Sequence, residues 1–158
     1  MNKTGKIVYF IISVIFFTFF DRYFSDLLIK SALKIPENPV VDFIYAKNTG
    51  AAFSLFENAQ LFLIIFAVLA ILMIIIYGIR NAEKYTVFAV FWCSMLISGI
   101  GCNLFERITF GYVRDFFKLN FIDFPIFNIS DIFITVGVTA LVFLIIKNKY
   151  LKNENSNR

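Results

Sequence analysis

The stretch Asp131 to Ile146, DIFITVGVTALVFLII, opens on a carboxylate and then runs without another charge to Lys147. A helix that crosses a bilayer needs about 20 residues, so counting back from Ile146 puts Asp131 roughly five positions inside the hydrocarbon boundary. An ionisable group at that depth is costly and marks a functional site with a partner to be found. The best candidate partner is Asp115, upstream in GYVRDFF, again a lone carboxylate beside aromatic residues. Two carboxylates at a membrane edge point to acid/base chemistry.

Three further apolar stretches precede this one: Ile7 to Phe20, Ala59 to Ile79 and Tyr85 to Phe105, the last two without any charge. With 59% hydrophobic residues and a mean hydropathy of +0.78, the chain is far more apolar than a soluble domain. These features predict an α-helical integral membrane protein with four transmembrane helices, near 7–26, 59–79, 85–105 and 127–146. They form one membrane-embedded domain over residues 1–158, with a small extracytoplasmic strand and loop region and a disordered tail from about 150.

Lys3, Lys6, Arg80, Lys84, Lys147, Lys149, Lys152 and Arg158 all fall on one side of this arrangement, with only Glu83 and Glu154 as acids there. That bias puts both termini and the 80–84 turn in the cytoplasm. The net charge of +4 therefore reports topology rather than affinity for nucleic acid. The first apolar stretch is read as a retained helix, because Asp21, Arg22 and Tyr23 follow it with no small-residue cleavage pattern.

Cys93 and Cys102 lie about 13 Å apart along one helix, too far for a disulfide. The chain has no histidine, which removes Ser-His and Cys-His nucleophiles and disfavours a catalytic zinc site. Carboxylates remain the main acid/base candidates. Polar residues gather at the outer helix ends: Asp21, Arg22 and Asp26, then Ser98, Cys102 and Asn103, then Asn128 and Asp131. Helices one, three and four are thus expected to share a polar pocket, whereas a transport path would carry polar groups through the full depth.

The outer segment from Ser31 to Asn58 holds Pro36, Pro39 and VVDFIYAKN, which reads as a short strand. Asn48, Thr49 and Gly50 then make a turn, and Gly50, Ala51 and Ala52 leave room for an approaching backbone or extended peptide. In the second outer segment, ERITFGYVRDFFKLNFIDFPIFN, Gly111 is the expected bend. Tyr112, Phe116, Phe117 and Phe121 are expected at headgroup level, and the loop bearing Asp115 is expected to close over substrate.

Two nearby carboxylates in a poorly hydrated site do not both ionise, so one keeps a proton. That is the state in which an aspartic protease activates water and protonates its leaving group. Asn128 lies three positions before Asp131, on the same helix face, placed to orient its carboxylate. Asn103 and Asn48 offer further amide donors, and Arg107 or Arg114 offers to hold the segment bearing Asp115. Simpler readings stand beside these. Asp131 is also suited to the first turn of a helix capped by Asn128, Asp115 to a solvated loop, and Asn103 to a C-cap. Asp21 and Arg22 also suit an interfacial ion pair, and NTG a plain turn.

In order, KNTGAAF at 47–53, GIGCNLFERITFGYVRDFF at 99–117 and FNISDIFITVG at 127–137 resemble blocks of the bacterial lipoprotein signal peptidases. This family, also called signal peptidase II, consists of four-span membrane aspartic proteases. The resemblance covers Asp21 to about Gly137. It implies that Asp115 and Asp131 are the catalytic pair and that Asn48, Gly50, Asn103, Arg107 and Asn128 shape the site, with Asp21 contributing from the first span. It implies as partners prolipoproteins carrying a diacylglyceryl-cysteine and membrane lipid, without nucleic acid, an obligate protein partner, metal or organic cofactor. It also implies a multi-pass location in the bacterial cytoplasmic (inner) membrane, with the active site at the extracytoplasmic face.

The chain departs from the family pattern at four places. Ser25 replaces a lysine four residues after Asp21, Cys102 a glycine, Glu106 an aspartate and Ser130 an alanine. Two other functions compete. One is a non-enzymatic membrane protein, such as a transporter subunit or assembly partner. The other is a Ser-Lys peptidase using Ser25 and Lys30, whose five-residue spacing does not share a helix face well.

Overall fold

A computed structural model describes residues 1–31, 39–51 and 55–156, those beyond Lys147 by backbone alone. Pro36, Ala52 and Phe53, singled out in the sequence, lie outside the described residues. The elements in order are α1 (Lys3–Ser31), β1 (Val41–Asn48), α2 (Gln60–Arg80), α3 (Val87–Phe110), β2 (Val113–Leu119) and α4 (Ile129–Ser156). Four stretches are long and apolar enough to cross a membrane: Lys3–Lys30, Gln60–Arg80, Val87–Phe110 and Ile129–Lys147. Lipid offers backbone groups no partner, so such apolar runs satisfy their own hydrogen bonds as helices. Past Lys147 the sequence contains neither glycine nor proline before Ser156, and α4 continues as helix where a disordered tail is expected.

The central element is α3. It packs on α1, α2 and α4, and it carries buried residues from Ala89 to Glu106, whereas α2 has none. Phe17 of α1 meets Phe91 of α3 and Phe133 of α4 with ring centroids 5.3 and 5.2 Å apart, so one aromatic cluster ties three helices. Between helices in lipid there is no hydrophobic drive, and close approach through small residues takes its place. Gly99 of α3 lies directly against α4, where a Cβ would stand 2.6 Å from the Ser130 carbonyl oxygen. Gly101, two residues on, has nothing within 4 Å of such a Cβ. Gly99→Val is therefore expected to lose about 1–3 kcal/mol of stability through overpacking, while Gly101→Ala melts like the parent in detergent. Equal melting temperatures for the two variants would refute this packing account.

Thr86 caps α3, its Oγ1 accepting from the Ala89 N–H at 3.1 Å. The helix closes on Gly111, whose φ of +79° suits a residue without a Cβ. At the other end, Lys6 Nζ donates to the carbonyls of Ala82 and Glu83 at 3.0 and 3.1 Å, bringing the start of α1 to the α2–α3 turn.

The expected strand is present as β1. Its partner comes from within the chain: β2 pairs with it antiparallel, Ala46 opposite Asp115 and Asn48 opposite Val113, with an irregularity between Phe43 and Ala46. The segment bearing Asp115 is thus a strand rather than an interfacial loop. Phe116 is wholly buried against the protein, and Tyr112 meets Tyr45 across the sheet, their hydroxyls 3.3 Å apart. Phe121 remains exposed. Charge mixed with aromatics reads as interfacial locally, but ladder pairing makes this segment a strand in which Val113, Asp115 and Phe116 are buried.

Candidate active site

Strand β2 is held along two edges. One pairs with β1; on the other, the Phe127 carbonyl accepts from the N–H groups of Phe116 and Phe117 at 3.0 and 2.9 Å, and the Phe127 N–H donates to the Phe117 carbonyl at 3.1 Å. Phe127 leads directly into Asn128 and α4. Main-chain bonding thereby brings the residue after Asp115 next to the start of the helix that carries Asp131.

Asn128 joins the two. Its Oδ1 accepts from the Asp131 N–H at 2.9 Å, while the Asn128 N–H donates to Asp131 Oδ2 at 3.1 Å, a reciprocal cap of the kind that starts helices. The cap and the functional reading of Asp131 are therefore the same geometry. Asn128 Nδ2 donates to Asp115 Oδ1 at 2.8 Å and to Asn103 Oδ1 at 3.1 Å, and Asn103 Nδ2 donates to Asp131 Oδ1 at 2.8 Å. Asn103 sits inside α3, which runs on to Phe110, so it is not a C-cap. Asn48 completes the set: Nδ2 donates to Asp115 Oδ2 at 2.9 Å and Oδ1 accepts from the Gly50 N–H at 2.9 Å.

Among the described residues, the side-chain donors on both carboxylates are amides. A neutral donor orients a carboxylate without locking it in the ionised state as a bonded guanidinium would. Burial pushes the Asp115 carboxyl up to about 7; the charge of Asp131 acts the same way, and the amides of Asn48 and Asn128 pull it down. Arg107 stands behind this ring, donating from Nη2 to the Gly50 carbonyl at 2.9 Å. It thus holds the turn after β1 rather than the strand bearing Asp115.

Asp21 is 1% exposed but does not join the amide ring. Its Oδ1 accepts from Arg22, and its Oδ2 from the Ser130 hydroxyl. Glu106, equally buried, takes Arg22 Nη1 at 2.8 Å, Arg114 Nε at 2.8 Å and the Arg114 N–H at 2.7 Å. Sequence reasoning noted Glu106 and Ser130 only as departures from a pattern and did not group them with Asp21. A carboxylate four residues after the small Cys102, hence on the buried face of α3, was the available signal.

A cavity of about 840 Å³ opens between α2, α3 and α4. Phe62, Leu63, Phe66, Ile100, Ile132 and Val136 make its apolar walls, and Asn48, Asn103, Arg107 and Asp131 its polar end. A second, more polar cavity of about 480 Å³ reaches Asp115, with Lys47, Glu57, Lys118 and Asp123 around it.

A family model for signal peptidase (SPase) II matches residues 9–147. The lipoprotein signal peptidase of Clostridium tetani is 39% identical over 123 residues, covering 73% of this chain and 78% of that protein. That of Streptococcus thermophilus is 38% identical over 110 residues, covering 70% and 71%. A solved structure described as a bacterial membrane enzyme superposes with a TM-score of 0.78 at 26% identity, covering 89% of this chain and 88% of its own. The non-enzymatic reading is disfavoured by these matches. The chain, a multi-pass membrane protease, belongs to the signal peptidase II family.

Proposed function

We propose that this protein removes signal peptides from prolipoproteins by cleaving immediately before a diacylglyceryl-modified cysteine, with Asp115 and Asp131 as its catalytic aspartates. The observation that carries the reading is the bridge Asp115–Asn128–Asp131 at the meeting of an apolar and a polar cavity. The signal helix and the lipid belong to the apolar side, and the polar chain after the cysteine to the side of Lys47, Glu57, Lys118 and Asp123. Asn48, Gly50, Asn103, Arg107 and Asn128 shape the site, and Asp21 supports it from α1.

In this reaction the ionised partner of the pair takes a proton from water, and the oxygen attacks the scissile carbonyl. The protonated partner hydrogen-bonds the carbonyl oxygen as it becomes negative. The amine then leaves with a proton from the pair. The pair titrates as a unit, and Asn128 fixes its geometry throughout. The basic residues at the Lys6 and Ala82 end support a reading with cytoplasmic termini and with the aspartates toward the extracytoplasmic face of the inner membrane.

Purified protein in detergent is expected to cut a diacylglyceryl-modified prolipoprotein before the cysteine and to leave the unlipidated form intact. Equal cutting of both forms, or no cutting by folded protein, would sink the assignment. The pH profile gives a second check. The Asp115 carboxyl is raised to about 7 by burial, so the single shared proton is lost as pH rises through that value. Activity is expected to fall on the alkaline side with an apparent pKa near 7. The folded state binds this proton more tightly than the unfolded chain, so Asp115 also contributes stability at acid pH that declines from about pH 4 to 7. Asn48→Ala, which deletes a bond to the charged form, is expected to move the alkaline limb upward. A limb that stays in place or moves down would contradict this account.

A further inference from the structure

Outside the amide ring, the residue immediately before each aspartate, Arg114 before Asp115 and Ser130 before Asp131, is bonded to a buried carboxylate. Ser130 donates to Asp21 of α1, and Arg114 donates its backbone N–H, Nε and Nη2 to Glu106 of α3. A single guanidinium connects these two carboxylates. Arg22 donates from Nε and Nη2 to Asp21 Oδ1 and from Nη1 to Glu106 Oε1 at 2.8 Å, while its plane lies over Phe105, 5.7 Å from the ring centroid. Asp21, Glu106, Arg22 and Arg114 alternate in charge, with the exposed Asp26 of α1 also 3.6 Å from Arg114, and none of the four residues' buried oxygens or nitrogens lacks a partner among the described residues.

Resting on the peptidase reading above, we propose that Arg22 is a positioning residue for hydrolysis, bridging Asp21 and Glu106 so that the strand carrying Asp115 and the helix carrying Asp131 are held in one register. Few contacts join α1 to α4 directly, so the Asp21–Ser130 bond is a principal polar tie between them. On the α3 side, Glu106 reaches past Gly111 to the first residues of β2, which fixes how far Asp115 extends toward Asn128. The amide ring holds the two carboxylates by their oxygens; the charged set locates their backbones. Removing Arg22 leaves Glu106 with Arg114 but leaves the buried Asp21 carboxylate without its cation, held by the Ser130 hydroxyl, so that it would recruit water or move.

The first readout needs no substrate. In amide hydrogen exchange on the whole protein in detergent, Arg22→Gln is expected to speed exchange both in 113–117 and in 129–132, with α2 unchanged. Ser130→Ala, which keeps the charges and only removes the hydroxyl, is expected to speed exchange in 129–132 alone. In prolipoprotein cleavage, Arg22→Gln is expected to lower kcat about 10- to 100-fold with KM changed less than about threefold, because small misplacements of catalytic groups cost rate rather than binding. Arg22→Lys, restoring charge but not the two-sided reach, is expected to lie between. If Arg22→Gln fails to fold, Arg22→Lys and Ser130→Ala carry the same comparison. Unchanged exchange in either segment for the Arg22 variants, or a rise in KM with kcat intact, overturns the proposal. Inactive wild type with the expected exchange pattern would instead refute the peptidase reading and leave the bridge standing.

Discussion

Asp131→Asn and Asp115→Asn are each expected to lower kcat for prolipoprotein cleavage by about 10³-fold, the range typical of lost general acid/base catalysis, with KM within about threefold. An amide has nearly the shape of a carboxylate, so the cavity and its lining should persist. It cannot take a proton from water at neutral pH, and it cannot give one to the departing amine. The structure also specifies the cost to folding. Both oxygens of Asp131 accept, from Asn103 Nδ2 and the Asn128 N–H, and both oxygens of Asp115 accept, from Asn48 and Asn128. An asparagine supplies one acceptor and sets an NH₂ against an existing donor. Each variant should therefore lose about 1–2 kcal/mol, a modest drop in melting temperature to be checked beside the kinetics. Cleavage retained within tenfold by a folded variant would remove that aspartate from the chemistry.

Asn128→Ala has the second largest expected effect, because one side chain serves the helix cap, the Asp115 bond and the Asn103 bond at once. Loss of a cap costs about 1 kcal/mol. Loss of the bridge removes the only side chain bonded to both site aspartates among the described residues, and kcat is expected to fall about 10²-fold. The two roles can be separated with Asn128→Ser. Serine is a good N-cap but too short to reach Asp115. Its melting temperature should return toward that of the parent while its kcat stays low. If Asn128→Ser cleaves like the parent, capping alone explains Asn128 and the bridge is dispensable.

Much of the site was visible as residue types at spacings. The carboxylate opening an apolar run, the asparagine three residues before it and the carboxylate in GYVRDFF pointed to Asp131, Asn128 and Asp115 without any structure. Two things misled. The aromatic residues of 112–121 matched an interfacial loop, because the pairing partners that bury Phe116 lie some 70 positions upstream in β1 and eleven downstream at Phe127. Arg107 and Arg114 looked interchangeable as supports for Asp115. Their separation across Gly111 sends one to Gly50 and the other to Glu106.

The sequence by itself determined that four helices are long and apolar enough to cross a membrane, that β1 is a strand and that carboxylates are the candidates for acid/base work. Each of these follows from composition or periodicity, and lipid enforces it one segment at a time. Only the tertiary structure decided that Asp115 rides on a strand held between β1 and Phe127, that amides rather than cations bond the two aspartates, and that Arg22 links Asp21 to Glu106. Those facts are pairings between residues distant in the chain. They depend on which helix packs against α3 and how closely Gly99 lets it approach, and local sequence carries no record of that choice.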